Sequence, residues 1–245
     1  IPVVKFIVRH IDKLLKEEFG IAKGLASDET IQYQVETGQD LRLDRRKKAP
    51  THQTLTVPRV QVLDPAVGTA TFLNETIKFI HEGFKGQEGR WPSYVEDNLV
   101  KRLYGFELMM APYTIAHLKL GMTLKETGVN KLNERLNVFL TNTLEEGTPP
   151  QLGFNFGLAE AVSEESRLAA EVKSEKPVMV VMGNPPYSGV SSNETDYANS
   201  LIDKYKVEPG GKQKLQERKH WLNDDYVKFL AFAEDMIEQN GTGIV

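Results

Sequence analysis

Four short apolar runs, each followed by a stretch of helical periodicity, constrain this chain more than any other feature. The runs are Val60-Gln61-Val62-Leu63, Leu103-Tyr104-Gly105-Phe106, Leu136 to Leu140 and Val178-Met179-Val180-Val181-Met182. Rich in β-branched, aromatic and other apolar residues, they read as strands buried on both faces. Helical patterns cover Thr71 to Glu82, Tyr94 to Arg102, Pro112 to about Glu126, Glu160 to Lys173 and 226–239. In the first of these, Phe72, Thr76 and Ile80 share a face with Leu73 and Ile77 beside them, and Gly83 stops the helix. This alternation predicts an α/β fold, a mostly parallel sheet with helices on both faces. Ile244-Val245 would begin a fifth strand, so the sheet is expected to be incomplete at its C-terminus.

Before the first run, residues 3–19 read as an amphipathic helix. Val4, Ile7, Val8, Ile11, Leu14, Leu15 and Phe19 fall on one face, with Pro2 at the start and Gly20 at the exit. Residues 31–43 switch to period two and predict a hairpin, with a turn at Thr37-Gly38 and a return through Leu41 and Leu43. Residues 1–59 thus form a helix-and-hairpin segment ahead of a core at 60–245. At 245 residues, the length suits one large domain, or one with an inserted subdomain. The chain opens at Ile1 without Met and closes on an unfinished strand, so it reads as a fragment of a longer protein.

Composition excludes several classes. A net charge of −4 rules out a generally basic, histone-like protein but not a local nucleic-acid patch. The absence of cysteine rules out a disulfide scaffold, a thiolate zinc site and a cysteine nucleophile. No apolar stretch approaches the roughly 18 residues needed to span a bilayer. Nor is there a signal peptide, so no membrane partner and a cytoplasmic setting are expected. His10, His52, His81, His117 and His220 form no ligand-spaced cluster; they read as structural or surface residues and no metal is expected.

Open parallel sheets bind ligands at the carboxyl ends of their strands. After the first run comes Asp64-Pro65-Ala66-Val67-Gly68-Thr69-Ala70-Thr71. A glycine among small residues admits close backbone approach, and the following helix offers free N–H groups suited to a carboxylate or phosphate. The three-glycine dinucleotide fingerprint is missing, which disfavours a hydride-transfer cofactor. On this segment alone, an ordinary strand-to-helix turn serves as well. Glu107 follows the second run and could accept hydrogen bonds from a ribose diol, or simply open a helix. Asn142, within Thr141-Asn142-Thr143, offers donor and acceptors to an adenine edge, or caps the next segment. Asn184-Pro185-Pro186-Tyr187 follows the fourth run. Its prolines fix φ and remove two N–H donors, leaving a rigid corner that presents the Asn184 side-chain oxygen and the Pro185 carbonyl. Two fixed acceptors suit an exocyclic amino group, and Tyr187 supplies a flat face for a planar base.

Taken together, Asp-Pro-Ala-x-Gly-Thr, Glu107 and Asn-Pro-Pro-Tyr resemble the S-adenosylmethionine-dependent DNA amino-methyltransferases of the gamma class. More closely, these motifs resemble the methyltransferase region of type ISP single-polypeptide restriction–modification enzymes. Pro2-Val3-Val4 with Phe6 to Arg9, Tyr104 to Glu107, Thr141 to Leu144, Asn184 to Ser188 and Asp224-Asp225-Tyr226-Val227-Lys228-Phe229 extend the likeness nearly end to end. The resemblance implies a Rossmann-like fold of the class I methyltransferase type, with S-adenosyl-L-methionine as cofactor. It further implies transfer of a methyl group to adenine N6 of a base flipped out of double-stranded DNA. Asp64, Ala66 and Gly68 would hold the methionine end of the cofactor, with Pro65, Thr69 and Thr71 completing the segment and Pro2 closing the pocket. Glu107 would hold the ribose and Asn142 the adenine. Asn184, Pro185, Pro186 and Tyr187 would form the catalytic corner, with Tyr187 stacked on the target base.

Three departures accompany the resemblance. Ala70 replaces a common glycine, Asn142 stands where Asp is frequent, and a target-recognition region would lie beyond Val245. Nuclease and translocase regions would share the full-length chain. Rival readings are a protein-glutamine methyltransferase, a cytosine-N4 methyltransferase, and a non-catalytic cofactor-binding module. Two cationic stretches are candidate phosphate contacts: Arg42, Arg45, Arg46, Lys47 and Lys48, and then Lys204, Lys206, Lys212, Lys214, Arg218 and Lys219.

Overall fold

The computed structural model describes residues 2–36, 52–146, 158–187, 191, 193–208, 213, 215 and 220–245. Helix α1 (Pro2–Glu17) buries Val8, Ile11 and Leu15, the apolar stripe read from the sequence. Asp12 is buried on the same helix, where its carboxylate accepts a hydrogen bond from the Leu25 N–H at 2.9 Å and pairs with Lys16 at 2.6 Å. Strands β1 (Thr30–Glu36) and β2 (His52–Pro58) pair antiparallel over their full length, Thr30 opposite Pro58 and Glu36 opposite His52. The observed partner of β1 is thus 52–58; the return expected through Leu41 and Leu43, and the turn at Thr37-Gly38, lie outside the described residues. The observed register sets Ile31 against Val57 and Tyr33 against Leu55 on one side, and Gln32 against Thr56 on the other. Such apolar and polar pairs are the unit of sheet stabilisation, and the β-branched, alternating 52–58 segment provides them.

The core follows as strand β3 (Val62–Asp64), helices α2 (Thr71–Glu82) and α3 (Trp91–Tyr94), strand β4 (Leu103–Glu107), helix α4 (Met110–Glu126), strand β5 (Asn137–Leu140), helix α5 (Leu158–Glu175), strand β6 (Val180–Val181), and helices α6 (Asp196–Asp203) and α7 (Asp225–Asn240). Between α3 and β4 the helical path continues through a π turn at Val95–Leu99 and a 3₁₀ turn at Val100–Arg102. Helix α6 was not anticipated; the Thr195 hydroxyl caps it by accepting from the Ala198 N–H at 3.1 Å. Among the described residues, four strands form a parallel sheet in the order β5-β4-β3-β6, and Ile244 adds a parallel bridge beside Val180.

Successive strand residues face opposite sides, and both sides are dry. Val62, Leu103, Val138 and Val180 join one apolar cluster with α1, α2 and α4. Leu63, Tyr104, Phe139 and Val181 join another with α5, α6 and α7. Helices therefore cover both faces, as the strand composition requires. The chain runs outward from β3 through β4 to β5, then returns to place β6 on the other flank of β3. The strand order reverses between β3 and β6, and the crevice outside their carboxyl ends is where such sheets take ligands.

Arg102 ties the N-terminal segment to this core. Fully buried, it donates to the Leu25 carbonyl at 2.6 Å, the Val60 carbonyl at 3.3 Å and the Tyr94 hydroxyl. Arg102→Met would keep the aliphatic volume and strand two buried carbonyls, at about 1–3 kcal/mol each. Urea denaturation should register a loss of about 2–5 kcal/mol; a loss below about 0.5 kcal/mol, the size of an ordinary surface substitution, would show that Arg102 does not anchor the segment.

Candidate active site

Strand β3 ends at Asp64, which is only 1% exposed. Its Oδ1 accepts the Ala66 N–H at 3.2 Å. Across the crevice Gly183 follows β6, and a Cβ there would lie 2.6 Å from Asp64 Oδ1, so any side chain would have to displace that carboxylate. Burial pushes the Asp64 carboxyl up to about 7, and the charge of Glu107 adds to the rise. The segment after Asp64 is fastened to the neighbouring strand. The Val67 N–H donates to the Phe106 carbonyl at 2.9 Å, and the Gly68 N–H to Glu107 Oε2 at 2.9 Å. Gly68 takes φ +53°, and Ala70 takes φ 58° at the cap of α2. For a residue with a Cβ this left-handed conformation costs roughly 1–2 kcal/mol, which is why glycine is common there. Ala70 is held in it by the 2.9 and 2.7 Å bonds that close the loop, Val67 to Phe106 and Ala70 N–H to the Val67 carbonyl.

No side chain caps α2, so its first turn keeps its amino end free for an anion. Thr69 is exposed; Thr71 is half-buried, with Lys119 near its hydroxyl at 3.4 Å. The Pro65 carbonyl accepts from the Thr143 hydroxyl, which joins this loop to the one after β5. Glu107 Oε1 accepts the Met109 N–H at 2.8 Å, so both carboxylate oxygens are fixed while each keeps a free lone pair. Residues separated by nearly forty positions, Gly68 and Glu107, therefore form one rim.

Asn142 is bound within the protein. Its amide donates to Glu145 Oε1 at 2.9 Å and Asn193 Oδ1 at 3.0 Å, and its Oδ1 accepts the Leu144 N–H at 3.0 Å. Beneath it, buried Lys173 donates to the Asn142 and Glu145 carbonyls at 2.8 and 2.9 Å. Desolvation lowers the Lys173 ammonium to about 8. Sequence reasoning missed Lys173, Asn193 and Gly183. A buried lysine on an otherwise ordinary helix leaves no signal until the loop it holds is known.

The Asn184–Tyr187 corner projects from the end of β6. Asn184 is exposed, and Tyr187 is 71% exposed with its hydroxyl donating to Asn184 Oδ1 at 3.3 Å. The Tyr187 ring stacks on Tyr226, centroids 5.2 Å apart and planes 21° from parallel. A cleft of about 450 Å³ opens beside the corner, with Phe6, Pro65, Phe72, Pro185, Tyr187 and Phe229 among its walls. Pro2 is exposed at the start of α1, a helix that meets α2 through Lys5 and Glu75 at 3.9 Å.

The basic run at 42–48 lies outside the described residues, as do Lys212, Lys214, Arg218 and Lys219. Lys204 pairs with Glu234 at 3.0 Å and Glu238 at 3.6 Å, and Lys206 with Asp203 at 3.3 Å. Among the described residues, no group of three His, Asp or Glu converges as metal ligands would, and no helix is long and apolar enough to cross a membrane.

A doubly wound parallel sheet with a glycine-bearing loop, Glu107 and the Asn-Pro-Pro-Tyr corner at its switch point has the architecture of an α/β domain of the class I methyltransferase type. The chain belongs to the N-6 DNA methylase family, which it matches over residues 51–241. Among solved structures it is similar to the ATP-dependent type ISP restriction–modification enzyme LlaBIII bound to DNA, at 26% identity and TM-score 0.66, covering 96% of this chain and 14% of that one. It is also similar to DrdV in a DNA complex, at 26% identity and TM-score 0.61, covering 96% of this chain and 19% of that one. A nuclease-deletion mutant of the type ISP enzyme LlaGI, in complex with a DNA substrate mimic, shares the fold at 24% identity and TM-score 0.67, covering 100% of this chain and 17% of that one. The chain thus spans less than a fifth of each relative. No curated protein matches it.

The Asp64 geometry carries a pH signature. An unfolded aspartate titrates near 3.9, and the folded carboxyl near 7. Between those values the folded state binds more protons, so this group favours folding below about pH 4 and loses that contribution as pH rises through 7. Urea midpoints at pH 5 and pH 7.5 should show stability falling with pH, and Asp64→Asn should flatten the slope. An identical slope in the variant would remove Asp64 as its source.

Proposed function

We propose that this site transfers a methyl group from S-adenosyl-L-methionine to N6 of an adenine in double-stranded DNA, as the modification part of a restriction–modification enzyme. One observation carries the reading: the Asn184–Tyr187 corner begins one residue beyond Gly183, whose backbone abuts buried Asp64. An amino group held at the corner would lie beside whatever the β3 loop binds.

The residues fit the cofactor. Asp64 is a buried carboxylate at the mouth of the crevice, and a cationic ligand there would relieve its raised proton affinity. The uncapped start of α2 suits an amino-acid carboxylate, and Glu107 retains lone pairs for ribose hydroxyls. Asn142 is already engaged by Glu145, Leu144 and Asn193, so its part is to shape the adenine side through a fixed loop. Pro2 would close the pocket from α1. When bound, S-adenosyl-L-methionine supplies an electrophilic methyl on a sulfonium.

What this chain's residues do follows from the corner. The lone pair of an adenine N6 is delocalised into its ring, which makes it a weak nucleophile. The Asn184 side-chain oxygen and the Pro185 carbonyl would accept hydrogen bonds from its two N–H groups, favour a pyramidal nitrogen and aim the lone pair; as the N–C bond forms and the S–C bond breaks, one of those N–H protons leaves along its hydrogen bond toward solvent. The gain is one of positioning and electrostatics, without a covalent enzyme intermediate. The target must first leave the duplex stack, and the exposed ring of Tyr187 offers it a new one. The DNA complexes of LlaBIII and DrdV, together with the family match, support DNA over a protein glutamine side chain.

In the full-length protein, Asn184→Ala should reduce transfer of labelled methyl to unmethylated genomic DNA by more than about a hundredfold, the upper end for loss of a key polar partner. Calorimetric affinity for S-adenosylhomocysteine should stay within about twofold, because Asn184 addresses the other substrate. Equal losses in both would assign Asn184 to the cofactor, and methylation of a glutamine peptide in place of DNA would overturn the DNA reading.

A further inference from the structure

The segment Asp224 to Phe229 stands out in the sequence, yet no step of the reaction above uses it. In the structure it forms the first turn of α7 and lies directly behind the target corner. The Asp224 carboxylate caps the turn by accepting the Tyr226 N–H at 3.1 Å. Asp225 Oδ1 accepts from the Ser191 hydroxyl and from the Asn193 amide, the latter at 3.0 Å. Lys228, 1% exposed, donates to the Ser191 hydroxyl at 2.8 Å and to the Asn193 carbonyl. One helical turn therefore grips Ser191 and Asn193, the described residues that next follow the corner, from both sides. Asn193 in turn accepts the Asn142 amide. Tyr226, set between these anchors, stacks on Tyr187.

We propose that Tyr226 is a positioning residue for the target base: it backs one face of the Tyr187 ring and leaves the opposite face open to stack the flipped adenine. This rests on the reading that Tyr187 stacks the base. A tyrosine as exposed as Tyr187 would otherwise sample several rotamers, and each binding event would have to order it. Backed by Tyr226, the ring is ordered beforehand, and its hydroxyl stays beside Asn184 Oδ1. The grip of Asp225 and Lys228 keeps Tyr226 from following the base if the corner shifts. The role is distinct from that of Asn184, which addresses the amino group, and from that of the β3 loop, which addresses the cofactor.

The test uses the full-length protein and a duplex with 2-aminopurine at the adenine whose methylation has been mapped on unmethylated genomic DNA. Tyr226→Leu removes the ring and keeps apolar bulk; Tyr226→Phe keeps the ring; Tyr226→Met stands in if the leucine variant melts early. Losing an aromatic partner should raise the duplex KM and the fluorescence-titration midpoint roughly two- to tenfold. Affinity for S-adenosylhomocysteine and the melting temperature should hold, and Tyr226→Phe should behave as wild type. In a Tyr187→Ala background, Tyr226→Leu should add no further loss, because its effect passes through that ring. A full additional loss there would overturn the proposal, as would an unaltered midpoint in Tyr226→Leu when Tyr187→Ala is impaired. If Tyr187→Ala itself binds the probe normally, the base-stacking reading fails, and this inference with it.

Discussion

The hydrogen bond from the Gly68 N–H to the Glu107 carboxylate is the contact on which the site depends. It joins the loop after β3 to the end of β4 and is reinforced by the backbone bond from Val67 to Phe106. With both in place, the loop cannot fold back over the crevice, and the start of α2 stays pointed at it. The parallel pairing of Asp64 with Gly105 sets the heights of the two strands. Gly105 itself has no room for a side chain, since a Cβ would come 2.9 Å from Val67 Cγ2. Close packing of loop on strand thus fixes where a ligand can lie.

Around that rim the protein buries charge. Asp64, Lys173 and Lys228 are nearly inaccessible. Each is hydrogen-bonded to backbone or neutral polar groups, Asp64 to Ala66, Lys173 to two carbonyls and Lys228 to Ser191 and Asn193, with the charge of Glu145 favouring the Lys173 ammonium and that of Asp225 the Lys228 ammonium. Buried charges held this way are expensive unless fully hydrogen-bonded. The two lysines spend their donors on loops, which fastens irregular backbone where no strand partner exists. Asp64 accepts the Ala66 N–H, and its burial outweighs that bond and raises its proton affinity.

The two tiers of aromatic residues differ in the same spirit. Trp91, Phe84 and Tyr94 cluster near the N-terminal segment, with the Trp91 indole N–H donating to the Thr127 hydroxyl at 3.0 Å. They are packing. Beside the corner, half-buried Tyr226 backs exposed Tyr187, whose ring gains little from burial and is available to a planar partner.

Sequence alone determined the strand-and-helix order of the core apart from α6, because buried strands and amphipathic helices write their periods into local composition. Helix α2 falls at the residues its pattern gave, and β4 and β5 within one residue. The motif positions Asp64 to Thr71, Glu107, Asn142 and Asn184 to Tyr187 were legible too, each following a strand. Tertiary structure decided everything that depends on distance across the chain. The pairing of β1 with 52–58 is one case, since it is set by cross-strand partners such as Ile31 with Val57 that lie far apart in sequence. The placement of β6 beside β3 is another, because a run of valines specifies burial on both faces but not a neighbour. So are the parts of Gly183, Lys173, Asn193 and Tyr226, whose significance comes from what they touch: a carboxylate, two carbonyls, an amide and a ring. Local pattern is governed by backbone geometry and solvent exclusion, both of which act within a few residues. Contacts at hydrogen-bond and van der Waals range between distant segments exist only once the sheet order is fixed.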